Sequence, residues 1–92
     1  MTNKIKLDER LDSSAAEALL SDISGAQGAD LVLDASAVAV LGGLCLEVLM
    51  CAKQVWQEAG KSLSIDNASE DFSEHLQRFG LSSQDFLVGE ST

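Results

Sequence analysis

The most reactive side chains in this 92-residue chain are two thiols, Cys45 and Cys51, and one imidazole, His75, among scattered carboxylates and hydroxyls. A nucleophilic or redox-active thiolate needs a nearby cation to hold its pKa down. Cys45 has none beside it in sequence and falls on the apolar stripe of an expected helix, so it reads as a small core residue. Cys51, at the border of that stripe, reads the same way. Six residues apart on one helix, the two thiols face different directions, which excludes a mutual disulfide and matches no zinc-ligand spacing. His75 has neither a Cys nor a second His to complete a metal site and reads as a solvated imidazole. Asp66, Glu70, Asp71 and Glu74 form a solvated acidic face that can also set partner choice by charge. Gly42-Gly43, at a helix start, presents backbone N–H groups to an anion. Without an accompanying Lys, Ser or Thr, however, a tight turn and close packing account for the pair better than a phosphate loop does. The residues therefore predict no catalytic group, no metal and no cofactor.

These residues sit on a stretch that organises the chain, 31–60. Leu31, Val32 and Leu33 form an apolar run ended by Asp34, expected as a strand buried on both faces and flanked by helices on two sides. From Leu41 the apolar spacing changes to Leu41, Leu44/Cys45, Val48, Ala52, Val55/Trp56 and Ala59, one stripe of a helix over 43–59. Opposite that stripe, the projection places Gly43, Leu46, Glu47, Met50, Gln54, Gln57 and Glu58. Leu46 and Met50 then form an apolar pair on the solvent side, beside a polar rim.

Ahead of this stretch, Lys4 to Leu7 alternates as a half-solvated strand. Ser14 and Glu17 have capping-box spacing for a helix from about Ser13 to Ser24, with Ala15, Ala16, Leu19, Leu20 and Ile23 inward. After it, Leu63 and Ile65 mark a third strand. Asn67 or Ser69 caps a helix that carries Glu70 and Asp71 in its first turn and Phe72, Leu76 and Phe79 inside, closed by Gly80. Residues 81–88 read equally as a short helix or a strand, followed by a polar tail over 89–92. The fold class expected is α/β, a small three- to four-stranded sheet with helices packed against it, in one domain over 1–92. The expected core comprises Leu31, Leu33, Leu44, Val48, Val55, Trp56, Phe72, Leu76 and Phe79.

Composition narrows the function classes. Six Lys/Arg against fifteen Asp/Glu give a net charge of −9, which opposes a nucleic-acid backbone or an anionic membrane surface. No window approaches the ~18 apolar residues of a membrane span, and MTNKIKLDER lacks the apolar core of a signal peptide, so a cytoplasmic location is expected.

Three segments carry a resemblance. Arg10-Leu11-Asp12 leads into SSAAEAL, Leu31-Val32-Leu33-Asp34 is followed by Ser36 and Val38, and residues 69–81 read SEDFSEHLQRFGL. In order and spacing they resemble the G-x-L-D segment, the V-L-D-x-S-x-V motif and the late helix of the STAS domain, the sulphate transporter and anti-sigma-factor antagonist family. The resemblance implies a regulatory protein-interaction module of bacterial type. In phosphorylated members a D-S/T-x-G-L or D-S-S-G-L loop carries an acceptor hydroxyl at the start of the central helix. Here Gly43 stands at the acceptor position and Gly42 at the preceding aspartate's, so the family's phospho-switch does not carry over to this site.

The reading is therefore a non-catalytic STAS-type adaptor, related to anti-sigma-factor antagonists, short and stand-alone. It binds a regulatory protein through loop 37–43 and the outer face of the following helix, in chemotaxis signalling or phospholipid transport. The residues expected to touch the partner are Ser36, Gly42, Gly43, Leu46, Glu47 and Met50, and a homodimer stays open. The rival readings are a phosphorylation switch at Ser36 or Ser69 and, more remotely, an enzyme using Cys45.

Overall fold

A computed structural model describes residues 2–88. Three parallel strands form the main sheet in the order β1-β3-β5, with β1 over Thr2–Lys6, β3 over Asp30–Asp34 and β5 over Leu63–Asp66. A second pair, β2 (Arg10–Leu11) and β4 (Val40–Leu41), is also parallel and only two residues long. The helices are α1 (Ala16–Gly25), α2 (Gly43–Ala59) and α3 (Glu70–Arg78). A 3-10 turn precedes α1, and another spans Ser83–Phe86.

Strand register explains which side of the sheet is covered. Asn3, Leu31 and Leu63 lie in one row and Ile5, Leu33 and Ile65 in the next, all on the face that meets the helices. The alternate rows, Lys4/Val32/Ser64 and Lys6/Asp34/Asp66, lie on the other face, where no residue is fully buried. The expectation of a β3 buried on both faces is thus corrected. A parallel sheet is normally covered on both sides, yet Val32 is only half-buried because its row carries Lys4 and Ser64 as neighbours. The outer side of β1 pairs with no strand among the described residues. At β5, Val88 makes an antiparallel bridge to Leu63, with both backbone hydrogen bonds formed. Segment 81–88 is accordingly a 3-10 turn that ends in a single bridge, and the tail 89–92 lies outside the described residues.

Local chemistry sets the helix ends. Asp12, not a Ser14–Glu17 box, begins the first helical segment: its Oδ1 accepts the Ser14 N–H at 3.1 Å and the Ser14 hydroxyl at 2.6 Å. Ser14 lies inside the 3-10 turn that Asp12 caps, and the residue before α1 is Ala15, which has no capping side chain, so the expected box does not form. Helix α2 has the bounds expected for it. Gly60 ends it at φ +71°, a conformation that favours glycine, and Lys61 N–H returns to Trp56 O at 3.0 Å. Ser69 caps α3, its hydroxyl oxygen accepting the Phe72 N–H at 3.0 Å.

The core holds Leu31, Leu33, Trp56, Phe72 and Leu76 as expected, joined by Leu7, Leu11, Leu49, Leu63 and Phe86. Other assignments are corrected: Leu44, Val55 and Phe79 are exposed at 50%, 39% and 49%, Leu20 is exposed on α1, and Val48 is only half-buried. Conversely, Leu46 is buried at 5% and Leu49 completely. The cause on α2 is a rotation about its own axis. The buried residues of α2 are Cys45, Leu46, Leu49, Ala52 and Trp56, and at 100° per residue their centre lies about 70° round from that of the expected stripe, Leu44/Cys45, Val48, Ala52, Val55/Trp56 and Ala59.

Candidate partner-binding surface

The surface is built from loop 35–42 and the exposed side of α2. The loop is anchored rather than loose. Asp34 Oδ1 accepts the Ser36 N–H at 3.0 Å, Ala39 N–H and Val40 N–H both reach Glu9 O at 2.8 and 3.1 Å, and Gly42 N–H reaches Leu11 O at 2.8 Å. From the other side, Ser69 N–H bonds Ala35 O at 3.2 Å while the Ser69 hydroxyl donates to Val38 O. Ala35, Val38 and Leu41 are buried beneath, which leaves Ser36, Ala37 and Val40 on the outside.

The two glycines have different reasons to be there. A Cβ on Gly42 would lie 3.3 Å from Leu11 O, the very carbonyl that Gly42 N–H binds, a tight contact that favours glycine at the close approach of β2. A Cβ on Gly43 meets nothing within 4 Å, and its φ is not positive. Position 43, which the resemblance aligns with the acceptor, is therefore sterically open and carries no hydroxyl.

The expected site residues separate on this frame. Ser36, Gly43, Glu47 and Met50 are exposed, with Met50 at 48%, and Gly42 is partly covered. Leu46 does not belong with them: it is buried beside Leu49 on the inner side of α2, which removes it from the partner face. Leu44 and Val55, expected in the core, are exposed instead. The available signal was that Leu44-Cys45, Val48-Leu49, Cys51-Ala52 and Val55-Trp56 are adjacent pairs, making two apolar stripes one residue apart.

Cys45 is buried, and its Sγ–H donates to Asp12 O at 3.3 Å. Burial, and secondarily the charge of Asp12, pushes the thiol upward and away from nucleophilic reactivity. Cys51 is exposed, and both thiols are free. Asp34 is held below the usual carboxylate range, first by the Ser36 N–H, then by the Ser36 side chain, with a smaller contribution from Lys4 and Lys6. His75 is half-buried, with Nδ1 2.7 Å from Asp71 O one helical turn back, a helix contact rather than a free imidazole. Among the described residues no group of three or more His, Cys, Asp or Glu is placed to hold a metal ion.

A small parallel sheet, helices on one face and an anchored loop at the start of the central helix define an α/β module of the STAS type. The family described as "Mlab, STAS domain" matches residues 2–89, and the chain belongs to the STAS family. Its fold is also that of a crystallised sulfate transporter family protein from Wolinella succinogenes, with a TM-score of 0.73 at 16% identity. The match covers 86% of this chain and 66% of that one, so the chain spans somewhat less than two thirds of the structure it resembles. No curated protein sequence matches it. No helix among the described residues is long and apolar enough to cross a membrane.

Proposed function

We propose that the chain is a non-catalytic interaction module that binds a regulatory protein through loop 37–43 and the outer face of α2. The observation that carries this is the open Gly43 with exposed Val40, Leu44 and Met50 around the start of α2, on a loop fixed by backbone hydrogen bonds. Large apolar side chains on a pre-formed surface favour docking. A constitutive mode follows from the missing hydroxyl at Gly43. The setting belongs to the same proposal: a cytoplasmic protein, a single domain over 1–92, acting in chemotaxis signalling or phospholipid transport.

A photo-crosslinking amino acid placed at Ala37 or Gly43, with Lys4 on the open sheet face as control, tests the reading in cells. The same protein should be captured from 37 and 43 and not from 4. Capture from position 4 alone, or equal capture from all three, would sink it.

A second reading, a phospho-switch on another serine, has one observation in its favour. Ser36 is exposed, whereas the Ser69 hydroxyl already serves Val38 O and the Phe72 N–H. Stoichiometric phosphate on Ser36 after incubation with the cognate kinase and ATP, seen by intact mass, would replace the constitutive reading.

A further inference from the structure

We propose that Leu44, Val48, Cys51 and Val55 form a docking seam for a basic amphipathic helix of the partner, whose apolar residues recur at alternating steps of three and four and whose flanks carry Lys or Arg. This rests on the interaction reading above and adds which element of the partner makes contact. The four residues follow one another at steps of four, three and four, the spacing with which one helix packs lengthwise on another. Leu44, Cys51 and Val55 are exposed and Val48 is half-buried. They extend for about three turns, roughly 16 Å. The core uses the neighbouring stripe of Cys45, Leu49, Ala52 and Trp56 with the inner edge of Val48 packed against it, so packing of the domain accounts for Val48 but not for the apolar Leu44, Cys51 and Val55.

Charge selects the occupant. On the free flank of the seam stand Glu47, Gln54 and Glu58, all exposed, while Lys53 lies on the far side of α2 next to buried Leu46. The other flank is the domain itself, where Cys45 and Ala52 are buried. A second copy fits poorly: an antiparallel pair of α2 helices would crowd two sets of Glu47 and Glu58 together, between chains of net charge −9 each. Lys or Arg on an incoming helix meets complementary charge both at the flank and at long range.

Fluorescence anisotropy with a stapled, monomeric helix of about four turns, with Leu at the seam positions and Lys on both flanks, measures this on the purified protein. Saturable binding is expected. It should weaken at least about tenfold for the same peptide with Glu flanks and for the Glu47→Lys/Glu58→Lys protein. The Leu44→Ala/Val55→Ala protein should lose about tenfold to a hundredfold while melting at the wild-type temperature. Bound peptide should also slow alkylation of Cys51 by iodoacetamide. Equal binding of the two peptides, full binding by the Leu44→Ala/Val55→Ala protein, or an unchanged Cys51 rate at saturation would overturn the proposal. Absence of saturable binding would overturn it too, while leaving crosslinks from 37 and 43, and with them the interaction reading, intact.

Discussion

Gly42 and Gly43 are adjacent and identical, but their surroundings make opposite demands. Gly42→Ala brings a methyl within 3.3 Å of a hydrogen-bonded carbonyl that must shift by a few tenths of an ångström and stretch its bond to Gly42 N–H, and should cost about 1 kcal/mol. Gly43→Ser has open space and gains helix propensity, so it should leave stability unchanged or raise it by up to about 0.5 kcal/mol. Urea denaturation of the two variants separates them, and equal losses would contradict the geometry. Asp34 adds a pH dependence. A carboxylate whose folded pKa is depressed stabilises fully above its ordinary value of about 3.9, and that contribution is lost as pH falls through the depressed value. Wild-type stability should therefore fall below about pH 4 more steeply than that of Asp34→Asn, measured by thermal melts across the acid range. Parallel acid limbs would show that the Ser36 N–H bond carries no linkage.

At the scale of elements, the central helix shows what could be read in advance and what could not. Its bounds follow from Gly42-Gly43 and Gly60, and they appear where expected. Its rotation does not follow, because two apolar stripes run side by side and periodicity alone scores them nearly alike. Long-range anchors near both ends decide it: Trp56 Nε1–H donates to Ala29 O at 2.9 Å, and the Cys45 thiol donates to Asp12 O. Neither partner is close in sequence, so periodicity alone puts Leu46 outside and Leu44 inside, the reverse of what the structure shows. The strands β2 and β4 were illegible for a simpler reason: two residues are too few to display an alternation. Of the residues expected on the surface, Ser36 and Gly43 are exposed because they lie in the loop and at the first position of α2, where helix phase matters little, and Glu47 and Met50 because they project more than about 100° from the buried stripe, far enough to stay in solvent under either roll. The rotation predicts an inversion of mutational effects. Leu49→Ala and Leu46→Ala should cost about 2–5 kcal/mol each, and Leu44→Ala and Met50→Ala nearly nothing. Denaturant midpoints showing the reverse order would restore the opposite roll of α2.

For the molecule as a whole, charge and thinness matter most. Fifteen acidic residues against six basic ones repel one another in the folded chain, so moderate NaCl should raise the melting temperature by a few degrees. A melting temperature that falls with salt would mean that specific ion pairs outweigh the repulsion. Only one such pair is present among the described residues, Arg10 with Asp12 at 3.7 Å, and it is solvent-exposed. Covering one side of the sheet and not the other leaves a body whose shortest dimension is 18 Å. A slab of that kind has little interior in which amides can be shielded from deuterium. Leu7 N–H bonds Asp34 O, so the alternation along β1 turns the amides of Lys4 and Lys6 away from β3. Those two should exchange almost as fast as in an open chain. The amides of β3, held between two strands, should exchange only through global opening and become the slowest clock in the protein.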